Sequence, residues 1–182
     1  MPYAKWLPDD GTMRQMFQRW PELARPLSEF TEVLMRGTSP FTEAQRELIA
    51  AVTSATNQCR FCYGTHKATA ENFGIDEKVF EQIQNDVATA DIEAEIKPVL
   101  AYVQKLTLTP TRITQADVDA IFDAGWNDQA FHHAVSICGL FNYYNRILEG
   151  YGITMDQAFY DEAGGRLAQL GYLYSPERYP ID

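Results

Sequence analysis

The sequence predicts an all-α fold, and three observations carry that expectation. Apolar residues recur at helical spacing along most of the chain. The turn signals are helix caps, such as the T-x-x-Q capping box of Thr42 and Gln45 and the Asp76 that precedes "EKVFEQIQ". No Asn-Gly or Asp-Gly pair joins two alternating apolar runs, and the one "DDG" lies near the N-terminus.

In chain order, a short helix is expected over roughly 12–19. Ser28 reads as the cap of a helix running to Arg36, with Gly37 as its stop. The Thr42 capping box opens "TEAQRELIAAVTSAT". Asn57 caps a separate helix, "QCRFCYGTHKATAENF", ended by Gly74. After "EKVFEQIQ" comes an amphipathic stretch over roughly 92–107. "TLTPTRIT" breaks the pattern, Thr114 begins "QADVDAIFDAG", and an apolar helix covers about 128–149. One more helix precedes an aromatic, Pro-containing tail. The segments "ENFGI" and "EGYGI" close two helices alike, a hint of two repeated helical halves. The expected organisation is a single helical domain over 1–182, with its core at about 30–155 and a C-terminal helix and tail over 154–182.

A chain of 182 residues with 46% hydrophobic and 22% charged residues is long enough to bury a substantial core. The net charge of −10 repels phosphates, which argues against nucleic acid or anionic membranes as partners. The N-terminus "MPYAKWLPDDGTMRQ" lacks the apolar region of a secretory signal, and no apolar run reaches the ~18 residues of a membrane span. The expected setting is the cytoplasm. There, a Cys-x-x-Cys is more often catalytic or metal-binding than a permanent staple.

Such a motif occurs in "NQCRFCYGTH". At about 100° per residue, Cys59, Cys62 and His66 share one helix face. The first helical turn presents unpaired N–H groups that favour thiolate over thiol, and His66 stands one turn beyond Cys62 to accept its proton. Cys62 is therefore the expected attacking thiolate. Cys59, nearer the helix end expected to be exposed, is the expected resolving thiol. The chemistry that follows is two-electron reduction of a peroxide, through a sulfenic acid and then a disulfide. It requires no flavin, haem or other cofactor. A zinc site would need a fourth ligand from His132, His133 or Cys138, and no metal is expected. His132 and His133 receive no catalytic role. Cys138 and the residues Asn142, Tyr144, Asn145 and Arg146 read as packing or hydrogen-bonding groups.

The stretch "ELIAAVTSATNQCRFCYGTH" resembles the core motif of alkylhydroperoxidase D-like proteins, within the carboxymuconolactone decarboxylase superfamily. Glu47, Cys59, Cys62 and His66 meet its spacing of Glu, eleven residues, Cys, two residues, Cys, three residues, His. The flanks "LMRGTSPFTEAQRELIA" and "FNYYNRILEGYGI" resemble a longer, peroxidase-related subgroup. The resemblance implies an all-helical obligate oligomer, a homotrimer or homohexamer. It also implies a Glu47–His66 proton relay to Cys62, and an external dithiol reductant such as a lipoylated or thioredoxin-like protein. Well-known members carry a second histidine between the cysteines, where this chain has Phe61.

Glu47 tests the geometry. On one straight helix it would stand 15 residues, or about 22 Å, from Cys62, so the chain must fold back near Asn57. A glutamate buried there is expected to have a raised pKa, suiting it to carry a proton. Two other functions fit the same residues: a non-enzymatic redox sensor or disulfide partner, and a decarboxylase-like lyase of the same superfamily.

Overall fold

The computed structural model of the chain describes residues 2–173. Among them are nine α-helices and no strand: α1 (Met13–Arg19), α2 (Pro21–Arg36), α3 (Glu43–Thr56), α4 (Arg60–Asn72), α5 (Glu77–Asp86), α6 (Lys97–Leu108), α7 (Gln115–Asp123), α8 (Asp128–Tyr151) and α9 (Gln157–Leu170). Among the described residues no helix is long and apolar enough to cross a membrane.

The capping box at Thr42 forms as expected, and two more form at Thr12 and Thr114. Two boundaries differ from the reading of the sequence. Helix α2 begins at Pro21, whose fixed φ and missing N–H suit a first helical position. Ser28 is therefore inside the helix, with its hydroxyl donating to the Tyr172 carbonyl instead of capping. Asn57 is the C-cap of α3, and Cys59 is the N-cap of α4.

That hairpin places the motif. Gln58 adopts φ 58°, a left-handed conformation uncommon without glycine. It lets the Gln58 N–H reach the Ala55 carbonyl at 2.9 Å and the Cys59 N–H reach the Ser54 carbonyl at 3.0 Å. These two bonds satisfy the last carbonyls of α3 and reverse the chain. Helix α3 is buried on nearly every side: Leu48, Ile49, Ala50 and Ala51 are all fully enclosed, and so is Glu47. Helix α4 packs on α3 and on α9. The crossing with α9 is close because two positions lack a side chain. A Cβ at Gly64 would stand 2.5 Å from the Tyr160 ring, and one at Gly164 would stand 2.6 Å from Ala68 Cβ. The C-terminal helix is thereby drawn across the motif helix.

The matching ends of α4 and α8 share one geometry. Gly74 and Gly152 both have positive φ, and Ile75 and Ile153 donate back to Ala70 and Leu148, each at 3.1 Å. One hydrophobic cluster runs from Leu7 to Tyr160. Residues 174–182, most of the expected tail, lie outside the described residues.

Candidate active site

The fold-back required by the sequence occurs, and it brings Glu47 on α3 beside His66 on α4. Glu47 Oε2 lies 2.7 Å from His66 Nδ1. Its other oxygen, Oε1, accepts from Arg36 Nη1 at 2.7 Å and from the Tyr172 hydroxyl at 2.6 Å. The carboxylate is fully buried and Arg36 is nearly so. A buried charge persists only where it is paired and hydrogen-bonded, and three donors meet that need here.

The expected rise in the Glu47 pKa does not occur. Burial alone would raise it, but the hydrogen bond and charge of His66, the charge of Arg36 and the Tyr172 hydroxyl together hold it below the ordinary carboxylate value. Glu47 is thus an anion at neutral pH. An ionised carboxylate only accepts hydrogen bonds, so His66 Nδ1 must carry the proton it shares with Glu47. In the neutral imidazole this leaves Nε2 as a proton acceptor. Phe141 packs edge-on against the same ring, with centroids 4.2 Å apart.

The sulfurs also depart from expectation. Cys59 is fully enclosed instead of exposed at a helix end, and Cys62 is buried beside it. Both are free thiols, and the two sulfurs act on each other electrostatically. Burial and the neighbouring Cys59 sulfur push the Cys62 thiol well above its ordinary value, outweighing a hydrogen bond from Asn145. Helix-end N–H groups do not keep Cys62 as a resting thiolate, because desolvation is the larger effect. Its proton has to be removed by a base when it reacts.

The Asn145 amide is itself fixed. It donates to Ser54 Oγ at 3.0 Å and accepts from Asn57 Nδ2 at 2.8 Å. Asn57 Nδ2 also donates to Asn142 Oδ1 at 3.0 Å. Cys138 is also buried, and Asn142 Nδ2 lies 3.4 Å from its sulfur. His132 and His133 do not line the cavity described next. Among the described residues no group of three or more His, Cys, Asp or Glu side chains could hold a metal ion.

Cys62 and His66 open onto one cavity of about 270 Å³. Its walls are Phe61, Phe141, Tyr144, Leu148, Phe159 and Ala163, with Arg14, Gln15, Glu162 and Arg166 supplying polar lining from α1 and α9. Phe61 does not leave a gap where a second histidine could sit. It packs against Phe159 and Tyr160, at 5.6 and 6.1 Å between ring centroids. Sequence reasoning missed Arg36 and Tyr172. Arg36 stands eleven positions before Glu47 and Tyr172 far beyond it, so no local spacing ties either to the motif.

Residues 21–103 match the model of the carboxymuconolactone decarboxylase family. That segment holds Glu47, Cys59, Cys62, His66 and Arg36, but not Tyr172 or Asn145. No curated protein matches the chain. Among solved structures it is similar to an alkylhydroperoxidase AhpD core protein of Ralstonia eutropha JMP134, described as an uncharacterized peroxidase-related protein. The two are 23% identical with a TM-score of 0.74, over 82% of this chain and 78% of that one. An uncharacterized peroxidase-related protein of Silicibacter sp. TM1040 is also 23% identical, with a TM-score of 0.69 over 87% of this chain and 90% of that one. At this identity the likeness establishes the fold.

Proposed function

We propose that this chain is a thiol-dependent peroxidase of the alkylhydroperoxidase D-like kind, a reading supported by the match of residues 21–103 to the carboxymuconolactone decarboxylase family and by a fold shared with peroxidase-related proteins. It reduces hydrogen peroxide or organic hydroperoxides through a Cys59–Cys62 dithiol–disulfide cycle. The observation that carries this reading is the shared cavity: Cys62 and His66 both line it, and Glu47 holds His66 by Nδ1 at 2.7 Å.

In the first step His66 Nε2 takes the Cys62 proton, and the imidazolium is stabilised by the Glu47 anion. The thiolate attacks one peroxide oxygen and the O–O bond breaks. The departing oxygen takes the proton back from His66 and leaves as water or an alcohol. Cys62 is now a sulfenic acid. The Cys59 sulfur then displaces hydroxide from it, water leaves, and a disulfide forms. An external dithiol, lipoylated or thioredoxin-like, supplies two electrons and two protons to restore both thiols. The reading also includes a cytoplasmic setting and assembly as a homotrimer or homohexamer. For assembly, α2 offers an exposed apolar stripe of Leu23, Phe30 and Val33.

The test is peroxide consumption with a dithiol reductant, followed in the native chain, Cys62→Ser and Cys59→Ser. Turnover in the native chain and its loss in both variants is the expected result. One observation favours the sensor reading: a buried sulfur held as a thiol oxidises slowly unless its base works. Oxidation of the native chain no faster than a free thiol would decide for that function.

A further inference from the structure

We propose that Tyr172 is a positioning residue: its hydroxyl holds the Glu47 carboxylate in the orientation that ties His66 by Nδ1 and leaves Nε2 to take the Cys62 proton. The inference rests on the base role given to His66 above, and it concerns a residue outside the matched family segment of 21–103.

The argument starts from the two oxygens of Glu47. Oε2 serves His66, and Oε1 accepts both Arg36 Nη1 at 2.7 Å and the Tyr172 hydroxyl at 2.6 Å. A guanidinium fork fits both oxygens of a carboxylate at once, and such bidentate pairing is its favoured geometry. With Arg36 alone on Oε1, the carboxylate could turn to give Arg36 its second oxygen as well. His66 Nδ1 would then lose its acceptor. The freed imidazole could carry its proton on Nε2, the atom that must be bare to act as a base. The phenol resists this turn by holding Oε1 from a second direction, and its ring lies along the His66 ring at 6.2 Å and 22°. The Arg36 guanidinium stands over the other part of the clasp, 4.8 Å from the Tyr172 ring centroid.

The segment that carries Tyr172 is built to deliver it. Gly171 ends α9 with φ 70°, and a Cβ there would stand 2.5 Å from Glu32 Oε2. The Tyr172 N–H donates to the same Glu32 oxygen at 2.5 Å, and its carbonyl accepts from Ser28 Oγ at 2.9 Å. Helix α2 thus grips the backbone on both sides of the ring that reaches Glu47. Burial, with the Glu47 charge next, raises the phenol well above its ordinary value, so it stays a donor at any pH the protein meets.

The experiment reads Cys62 directly and uses no peroxide. In a Cys59→Ser, Cys138→Ser chain, Cys62 is the sole cysteine, and its alkylation by iodoacetamide is followed against pH. His66→Asn is expected to slow alkylation at neutral pH, and Tyr172→Phe to slow it about tenfold, a part of what a general base contributes. In the His66→Asn background Tyr172→Phe is expected to add nothing, because it acts through the ring already removed. An unchanged rate in Tyr172→Phe, or an equal slowing in both backgrounds, would overturn the inference and leave the base role of His66 standing. No slowing in His66→Asn would overturn both. Should Phe at 172 unfold the chain, Gly171→Ala displaces the same segment. It must then show the same His66-dependent loss, and a normal rate there counts against the proposal equally.

Discussion

The cluster around Glu47 is made of groups that carry or exchange charge: Arg36, Glu47, His66 and the Tyr172 phenol. The cluster around Asn145 is made of neutral amides and a hydroxyl, Asn57, Asn142, Asn145 and Ser54, with the exposed Arg146 guanidinium only at its edge. In the proposed reaction the first serves Cys62 through the imidazole one helical turn away, and the second acts on Cys62 through the Asn145 amide. A proton acceptor must change charge during the reaction, which requires titratable partners. A thiolate also needs donors that stay the same at every pH, and amides provide them without adding a second group that competes for the proton.

The difference has energetic consequences, and the largest is at Glu47. Glu47→Ala strands a buried guanidinium and leaves His66 and Tyr172 without their acceptor. It is expected to destabilise the fold by about 3–5 kcal/mol, read from urea denaturation midpoints. Asn145→Leu keeps the volume but leaves the Asn57 amide and Ser54 with lost partners. The expected loss is smaller, about 1–3 kcal/mol on the same measurement. An amide loss equal to the charged one would erase the distinction.

The smallest effect, and the sharpest in kind, is the dependence on pH. Glu47 has a depressed pKa in the folded state, so its contribution is present above the ordinary value of 4.5 and is lost as pH falls through the lower folded value. Denaturation midpoints should therefore fall on acidification in the native chain, and fall less steeply in Glu47→Gln. Asn145→Leu should keep the native slope, since no member of its cluster titrates there. On the alkaline side the sign reverses. Cys62 is raised, so its contribution is complete below the unfolded thiol value and is lost as pH climbs through the folded one. Cys62→Ser should flatten that limb.

What the sequence made legible follows the same division. The hairpin of α3 and α4 could be read because a capping box, a required fold-back and fixed spacings are local information. Glu47 beside His66 was expected from the family resemblance, because a lone glutamate in a helix reads as a solvated charge. The ionisation states could not be read. Glu47 looked like a raised carboxylate because its burial was weighed alone, whereas its charge is held first by His66, and then by Arg36 from α2 and Tyr172 from beyond α9, which no local spacing revealed. Cys62 looked like a thiolate because the helix end was visible and the desolvation by its neighbours was not. Ser28 was read as a cap since hydroxyls favour that role, but Pro21 fixes an earlier start, and Ser28 instead holds the segment that delivers Tyr172. Aromatic residues in a tail carry no periodicity, so nothing in the order of residues singled Tyr172 out.

The central claim is that Cys62 is the sulfur that meets the oxidant and Cys59 the one that resolves it. It is tested most directly by a single turnover with a sulfenic-acid trap, the adduct being located by peptide mass. With Cys59→Ser and one equivalent of peroxide, the adduct is expected on Cys62 in nearly every chain. With Cys62→Ser, Cys59 is expected to stay unlabelled. Labelling of Cys59 in the latter chain at the rate seen for Cys62 in the former would contradict the account.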